Sequence, residues 1–367
     1  MSDCKIVLAA GGTGGHLFPA FALTEELKRR GAEVHIVTDE RVDGFQAQSV
    51  ADEMHVVPSA TVRGKTPMAL AKTGWTLLQG VRAARCLFKD LRPDCVLGFG
   101  GYPTFPPLLA AGQLGIATGL HDQNAVMGRA NRLLARRVDV IATSFADVKY
   151  LPESLADKVR LTGNPVRGAV LVAKDVAYPA FGDEFRLLIF GGSQGARFFS
   201  DFFPIALADL EPDYASRLKV VQQCRAEDLE RVAALYDAAG IEARCAAFFD
   251  DLPTAMAQSH LVICRSGASS VAELAVCGRP AIMVPLPHAL DNDQLLNANS
   301  LVQAGAGWVI EQEKLNHSDF RAQLLELFAQ PEDLQKAANA AKSLGQPEAV
   351  VRLADVVLEL ANRKLVS

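Results

Sequence analysis

The segment Gly11-Gly12-Thr13-Gly14-Gly15-His16 follows the apolar run Lys5–Ala9 and precedes a helical pattern. Glycines at such a turn let the backbone take positive φ and approach a ligand, and the helix start offers unpaired N–H groups to an anion. His16 then sits at a helix N-terminus, where the dipole disfavours the imidazolium and leaves the ring available as a base. A lone histidine is more often structural. This one stands at the mouth of a sheet, where ligands bind in open α/β folds, and that place favours a functional role. Two rival readings stay open. A nicotinamide fingerprint would need glycine where Leu17 stands, although Asp39 partly mimics its ribose-binding acid. A tight turn with no ligand is the other, and it is weakened because Gly191-Gly192-Ser193-Gln194-Gly195 repeats the strand–glycine–helix unit about half a chain later.

A second chemistry-bearing stretch runs from Cys264 through Arg265-Ser266-Gly267-Ala268-Ser269-Ser270 to Glu273. Its small residues expose backbone N–H groups and hydroxyls to a phosphate, and the Glu273 carboxylate suits the paired hydroxyls of a ribose. The same letters Ser270-Val271-Ala272-Glu273 also fit a capping box, and sequence alone leaves the two readings even. Downstream, Asp291-Asn292-Asp293 has the spacing of a metal-holding carboxylate pair, yet it opens a helical pattern through Leu295, Leu296 and Ala298. Acids there serve as helix-start partners, which is the favoured reading.

The elements that must hold these residues are short β-branched runs alternating with amphipathic helices. Strands are expected at Lys5–Ala9, Glu33–Val37, 95–97, 138–141 and 159–161, and again at 186–190, 219–221, 261–263 and 281–284. Such alternation implies parallel sheets covered on both faces. With 367 residues, two α/β domains follow: residues 1–163 and 184–346, Rossmann-like and doubly wound, with a cleft between them. Residues 164–183 read as the linker and 347–367 as a terminal helix.

The formal net charge of −5 gives no global reason for nucleic acid binding. Seven scattered cysteines without a Cys-x-x-Cys pair argue for a reducing compartment and against a zinc or disulfide framework. The N-terminus has no signal-peptide pattern, and no apolar run is long enough to span a bilayer, so a cytoplasmic protein is expected.

Taken in order, these segments resemble the MurG family of GT-B glycosyltransferases. The matching pieces are Gly11 to His16 with Pro19; Gly100-Gly101-Tyr102-Pro103; His121-Asp122-Gln123-Asn124; Gly163-Asn164-Pro165-Val166-Arg167; Gly191 to Arg197; Arg265 to Ala268 with Glu273; and Asp293-Gln294 with Asn297-Ala298. Each is a weak signal, whereas their ordered combination across nearly the whole chain is specific. The resemblance implies an inverting, metal-independent transferase that moves N-acetylglucosamine from UDP-N-acetylglucosamine (UDP-GlcNAc) to the 4-hydroxyl of the N-acetylmuramyl unit of lipid I. It puts Phe249 beside uracil, Ala268, Ser269 and Ser270 along the nucleotide, and Glu273 on the ribose. Ser193 and Arg167 would meet the phosphates, Gln294 and Asn124 the sugar, with Thr13, Gly14 and Gly15 closing on it. His16 and Tyr102 would lie near the reacting hydroxyl, with His16 the first candidate base and Asp122 the second. No resident metal or cofactor is implied.

The chain departs from the family pattern at three places. Asp122 stands where glutamate is common, so its reach is one methylene shorter. Ala268-Ser269-Ser270 replaces Ala-Leu-Thr and keeps the last hydroxyl. Phe249 replaces a smaller aliphatic residue, an exchange that a backbone contact to uracil would survive.

A polyprenyl acceptor requires access to a bilayer. Lys65 to Lys89 holds Met68, Leu70, Trp75, Leu77, Leu78, Val81, Leu87 and Phe88 among Lys72, Arg82 and Arg85, which suits an interfacial patch on anionic lipid. Some of these residues must instead face the core. The expected location is the cytoplasmic side of the inner membrane, with cell-wall synthesis or division proteins as candidate partners. The rivals are a UDP-GlcNAc 2-epimerase, a transferase to another lipid, and a non-catalytic nucleotide-binding module.

Overall fold

The computed structural model describes residues 4–11, 14–40, 49–60, 66–192 and 196–362. The chain divides into two compact units, Met1–Arg167 with Pro347–Ser367, and Gly168–Gln346.

The first unit is built on seven strands: β1 (Lys5–Ala9), β2 (Glu33–Thr38), β3 (Glu53–Val56), β4 (Cys95–Gly98), β5 (Ala117–Asp122), β6 (Val140–Thr143) and β7 (Val159–Leu161). They lie in the order β3-β2-β1-β4-β5-β6-β7, with every pairing parallel. Side chains of a strand point alternately to opposite faces, and β1 shows the consequence. Ile6 and Leu8 pack with Leu17, Leu23, Leu353 and Val357, while Val7 packs with Val81, Phe88 and Leu108. A strand buried on both sides must be apolar at successive positions, as Ile6-Val7-Leu8 is.

One layer over this sheet is helix α1 (Gly14–Arg29) together with the terminal helix Ala349–Asn362. Arg352 donates to the Thr162 carbonyl at 2.9 Å, and Arg30 pairs with Asp355. The last helix thus belongs to the first unit's core, although the chain reaches it only after completing the second unit. Helix α2 (Pro67–Leu91) covers the other face. At its centre, a Cβ on Gly80 would sit 2.1 Å from the Pro58 carbonyl oxygen, so only glycine permits this close crossing.

The second unit has six parallel strands, β8 (Phe185–Phe190), β9 (Leu218–Gln223), β10 (Glu242–Ala246), β11 (Leu261–Cys264), β12 (Ala281–Met283) and β13 (Gly307–Val309), ordered β10-β9-β8-β11-β12-β13. Its core joins Leu187 and Ile189 to Phe199, Phe203, Phe320 and Leu324. Both units are therefore Rossmann-like. The expected linker contains a helical segment, Gly168–Ala173, because Val170 and Ala173 are buried and pull it onto the second unit. Helix α1 begins at Gly14, four residues before Phe18, where the apolar spacing suggested a start.

Candidate active site

His16 is the third residue of α1 and is half-buried. Backbone surrounds its ring. A Cβ on Gly11 would lie 3.3 Å from its Cδ2, one on Gly100 3.4 Å from its Cε1, and one on Gly101 3.4 Å from its Cδ2. Gly100 and Gly101 follow β4 with φ of +89° and +76°, which L side chains rarely adopt, so these glycines shape the loop that holds the imidazole. Tyr102 continues that loop and is half-buried.

The orientation of His16 is set from the core outward. His121, on β5, is fully buried, and its Nε2 lies 2.9 Å from the carbonyl oxygen of Gly163. A carbonyl can only accept, so Nε2 carries the proton and Nδ1 the lone pair. Gln123 donates its amide to that Nδ1 at 2.9 Å and to the His121 carbonyl at 3.2 Å. Its oxygen is thereby turned toward His16 Nδ1, 3.1 Å away. His16 must donate there, which leaves the lone pair on Nε2. Burial pushes the His121 pKa down to about 4, so the chain of donors keeps one polarity near neutral pH.

Asp122 ends β5 and is turned into its own loop. It accepts from the backbone N–H of Asn124 at 3.2 Å, from that of Gly128 at 2.9 Å, and from the Asn131 amide at 2.9 Å. Burial raises its pKa while the Asn131, Gly128 and Asn124 bonds oppose the rise. The carboxylate ties together the turn that presents Asn124, which is half-buried. The oxygen of Asn131 and both amide atoms of Asn164 are buried without a hydrogen-bond partner among the described residues. Arg167 places its guanidinium 5.3 Å from the Phe18 ring centroid. Gly14 is buried at the start of α1 and Gly15 is exposed. Thr13 lies outside the described residues, as does Ser193.

In the second unit, the helix Ala268–Cys277 begins after Gly267, which caps it without a side-chain hydrogen bond. Ser270 is therefore the third helical residue and not the cap. This excludes the capping-box reading of Ser270 and Glu273. Glu273 is buried in the second turn, and the Oγ atoms of Ser266 and Ser269 are buried with no hydrogen-bond partner among the described residues. Arg265 turns inward, donating to the carbonyls of Val284 and Pro285 and to Gln312, and so braces the loop after β12. Leu286 of that loop donates its N–H to the Gln294 side-chain oxygen at 2.9 Å. Asp293 opens the helix Asp293–Gln303 and accepts the Gln294 N–H at 2.7 Å. Phe249 is buried beneath the Arg244 guanidinium, 4.7 Å from its ring centroid.

The motif His121-Asp122-Gln123-Asn124 by itself assigns no role to His121 or Gln123, and Asn131 stands in none of the motifs. The signal was their polarity in a segment the fold buries. β5 is not among the expected strands, since Ala117-Thr118-Gly119-Leu120-His121-Asp122 is too polar to stand out as one.

Residues 6–143 match the glycosyltransferase family 28 N-terminal domain, and residues 186–353 match the family's C-terminal domain. The chain belongs to glycosyltransferase family 28. Within family 28 it is similar, at 50% identity over all of this chain and 98% of the relative, to a Rhizobium etli protein named UDP-N-acetylglucosamine–N-acetylmuramyl-(pentapeptide) pyrophosphoryl-undecaprenol N-acetylglucosamine transferase. A Brucella abortus protein of the same name is also 50% identical, over 98% of this chain and 95% of that one. Among solved structures, Acinetobacter baumannii MurG matches with a TM-score of 0.78 at 28% identity, covering 97% of this chain and 99% of that one. A Neisseria meningitidis UDP-GlcNAc 2-epimerase matches with a TM-score of 0.70 at 18% identity, covering 97% and 100%, a likeness of fold alone.

Proposed function

We propose that this family 28 enzyme transfers N-acetylglucosamine from UDP-GlcNAc to the 4-hydroxyl of the N-acetylmuramyl unit of lipid I, forming lipid II. The observation that carries the assignment is half-identity along the full chain to relatives named for that transfer.

The transfer is one inverting displacement. The acceptor oxygen forms its bond to the anomeric carbon as the bond from that carbon to the β-phosphate oxygen breaks. UDP leaves with the electron pair, and the hydroxyl proton passes to His16 Nε2. The His121–Gln123 chain supports this role, because it puts the lone pair of His16 on that nitrogen. Tyr102 lies beside the acceptor. Asp122 acts through the loop it braces, with three hydrogen bonds already on its oxygens. It is a positioning residue in this account, not the base.

The second unit binds the nucleotide. Glu273 takes the ribose hydroxyls, Ala268, Ser269 and Ser270 line the phosphate side, and Phe249 flanks uracil. Charge on departing UDP is met by the N-terminus of the helix Ala268–Cys277, by Ser193 and by Arg167, with no divalent metal required. Gln294, Asn124, Thr13, Gly14 and Gly15 hold the sugar.

Membrane contact runs through α2. Its outer face shows Met68, Trp75 and Leu78, exposed by 83, 63 and 60%, together with the exposed cations Lys72, Arg82, Arg85 and Lys89. Val81 and Phe88, read from sequence as part of this patch, belong to the core instead. Lys65 lies outside the described residues. No helix among the described residues is long and apolar enough to cross a membrane, so the patch would act at the surface.

Product analysis tests the assignment. Incubation with UDP-GlcNAc and a lipid I analogue is expected to add one N-acetylhexosamine in a β-1,4 linkage. An unchanged acceptor alongside an epimerised donor sugar would replace it with the epimerase reading.

A further inference from the structure

We propose that the edge of the first sheet, where His35 of β2 meets Glu53 and His55 of β3, binds a zinc-type divalent cation. The strand register creates the cluster. In the parallel pairing His35 stands opposite Glu53, and Val37 opposite His55. Because side chains alternate along a strand, Glu33 and His35 share a face with Glu53 and His55. One ligand atom from each of His35, Glu53 and His55 lies within 4.8 Å of the others.

The spacing suits a small tetrahedral ion. His35 Nδ1 and His55 Nε2 are 3.2 Å apart. Two nitrogens bound to zinc at its usual bond length and angle stand about 3.3 Å apart. A Glu53 carboxylate oxygen is 3.7 Å from His55 Nε2 and exposed, so it can swing onto the ion. Three protein ligands leave a fourth position for water.

The surroundings orient the ligands. His35 Nε2 lies 2.8 Å from a Glu33 carboxylate oxygen, and Lys5 Nζ is 3.0 Å from that same oxygen. The carboxylate accepts, so His35 Nε2 keeps its proton and Nδ1 offers its lone pair to the cluster. A carboxylate behind a ligating histidine is the usual outer support of zinc sites. In the protein alone, His55 Nε2–H donates to His35 Nδ1. The cation takes that proton's place between the two nitrogens, and His55 binds it through Nε2 as the neutral Nδ1–H tautomer. Two imidazoles and one carboxylate favour zinc, nickel or copper over magnesium or calcium, which want oxygen ligands.

The cluster lies on β2 and β3, not on the glycine loop that carries His16. His35 pairs with Val7 in mid-strand, whereas His16 follows the glycine loop beyond β1. The ion's effect is mechanical. β3 is a four-residue edge strand with its ends exposed, and a cation shared with β2 staples it to the sheet.

The test uses the tag-free, full-length protein, washed with chelator and then titrated with Zn²⁺ by calorimetry and with Co²⁺ by visible absorbance. One equivalent of Zn²⁺ per chain, a rise in thermal midpoint, and tetrahedral Co²⁺ bands are expected, with no response to Mg²⁺. His55→Gln should abolish the bands, and Glu33→Gln should weaken Zn²⁺ binding by about 10-fold. Glu53→Gln, at an exposed position, gives a second ligand variant should His55→Gln fold poorly. Absence of Zn²⁺ binding to the wild-type chain would overturn the proposal. So would unchanged stoichiometry and affinity in folded His55→Gln or Glu53→Gln. Glycosyl transfer in chelator is expected to continue, which separates this site from the reaction.

Discussion

The Nδ1 of His16 lies 3.1 Å from the side-chain oxygen of Gln123, and that contact decides which nitrogen of the imidazole holds the lone pair. The decision originates in the buried carbonyl of Gly163, which forces the tautomer of His121, then the amide orientation of Gln123, then the tautomer of His16. A backbone group in the core thus sets the tautomer of the half-buried His16.

Removing the base should cost far more than disturbing its support. His16→Ala is expected to lower kcat by about 10²- to 10⁴-fold. Gln123→Leu removes the tautomer bias and should lower kcat by about 10-fold, with KM for UDP-GlcNAc nearly unchanged. Asp122→Asn should lose activity through its loop while keeping the acid limb of the pH–rate profile where it is. Steady-state kinetics across pH reads all three, and disappearance of that limb in Asp122→Asn would make Asp122 the base.

His121 links this network to acid stability. Its folded pKa of about 4 lies below the ordinary 6.5, so the native state holds the ring neutral. For a base depressed by folding, the stabilisation is complete above the unfolded value and is lost as pH falls toward the folded one. Between those limits the loss amounts to at most about 3 kcal/mol. Urea unfolding at about pH 7 and about pH 4.5 should show a steeper loss for the wild type than for His121→Gln.

Glu273 is the next group to test. If it accepts the ribose hydroxyls, Glu273→Gln should weaken UDP binding by about 10-fold, near 1.4 kcal/mol. A dideoxy-ribose analogue of UDP should bind both proteins equally. Equal weakening for the analogue would mean that Glu273 acts only on the fold.

The outer face of α2 makes a prediction about lipid. Trp75→Glu combined with Leu78→Glu should abolish sedimentation with anionic vesicles at low salt while sparing transfer to a soluble acceptor analogue. Val81→Glu is the contrasting change: it buries a charge in the core and should destabilise the protein itself.

Much of this organisation was legible in the sequence because apolar runs such as Ile6-Val7-Leu8 and Leu187-Leu188-Ile189 need burial on both faces. The glycine turn before His16 was equally plain. Legibility failed where tertiary context overrides local pattern. β3 and β5 are polar enough to pass for loops, and only the sheet gives them partners. The capping-box letters at Ser270 and Glu273 were misleading, since Gly267 starts the helix three residues earlier. On α2, periodicity marked an amphipathic helix, but only packing shows that Val81 and Phe88 point inward while Trp75 points out. The tautomer chain could not be read at all, because Gly163 and His16 lie far from His121 and Gln123 in sequence and meet only across the folded sheet.

The most direct measurement is UDP release from UDP-GlcNAc with and without a lipid I analogue, chelator being present throughout. The account predicts release that depends on the acceptor and persists in chelator. Release without acceptor, or acceptor-dependent release that chelator abolishes, would contradict a metal-independent transferase.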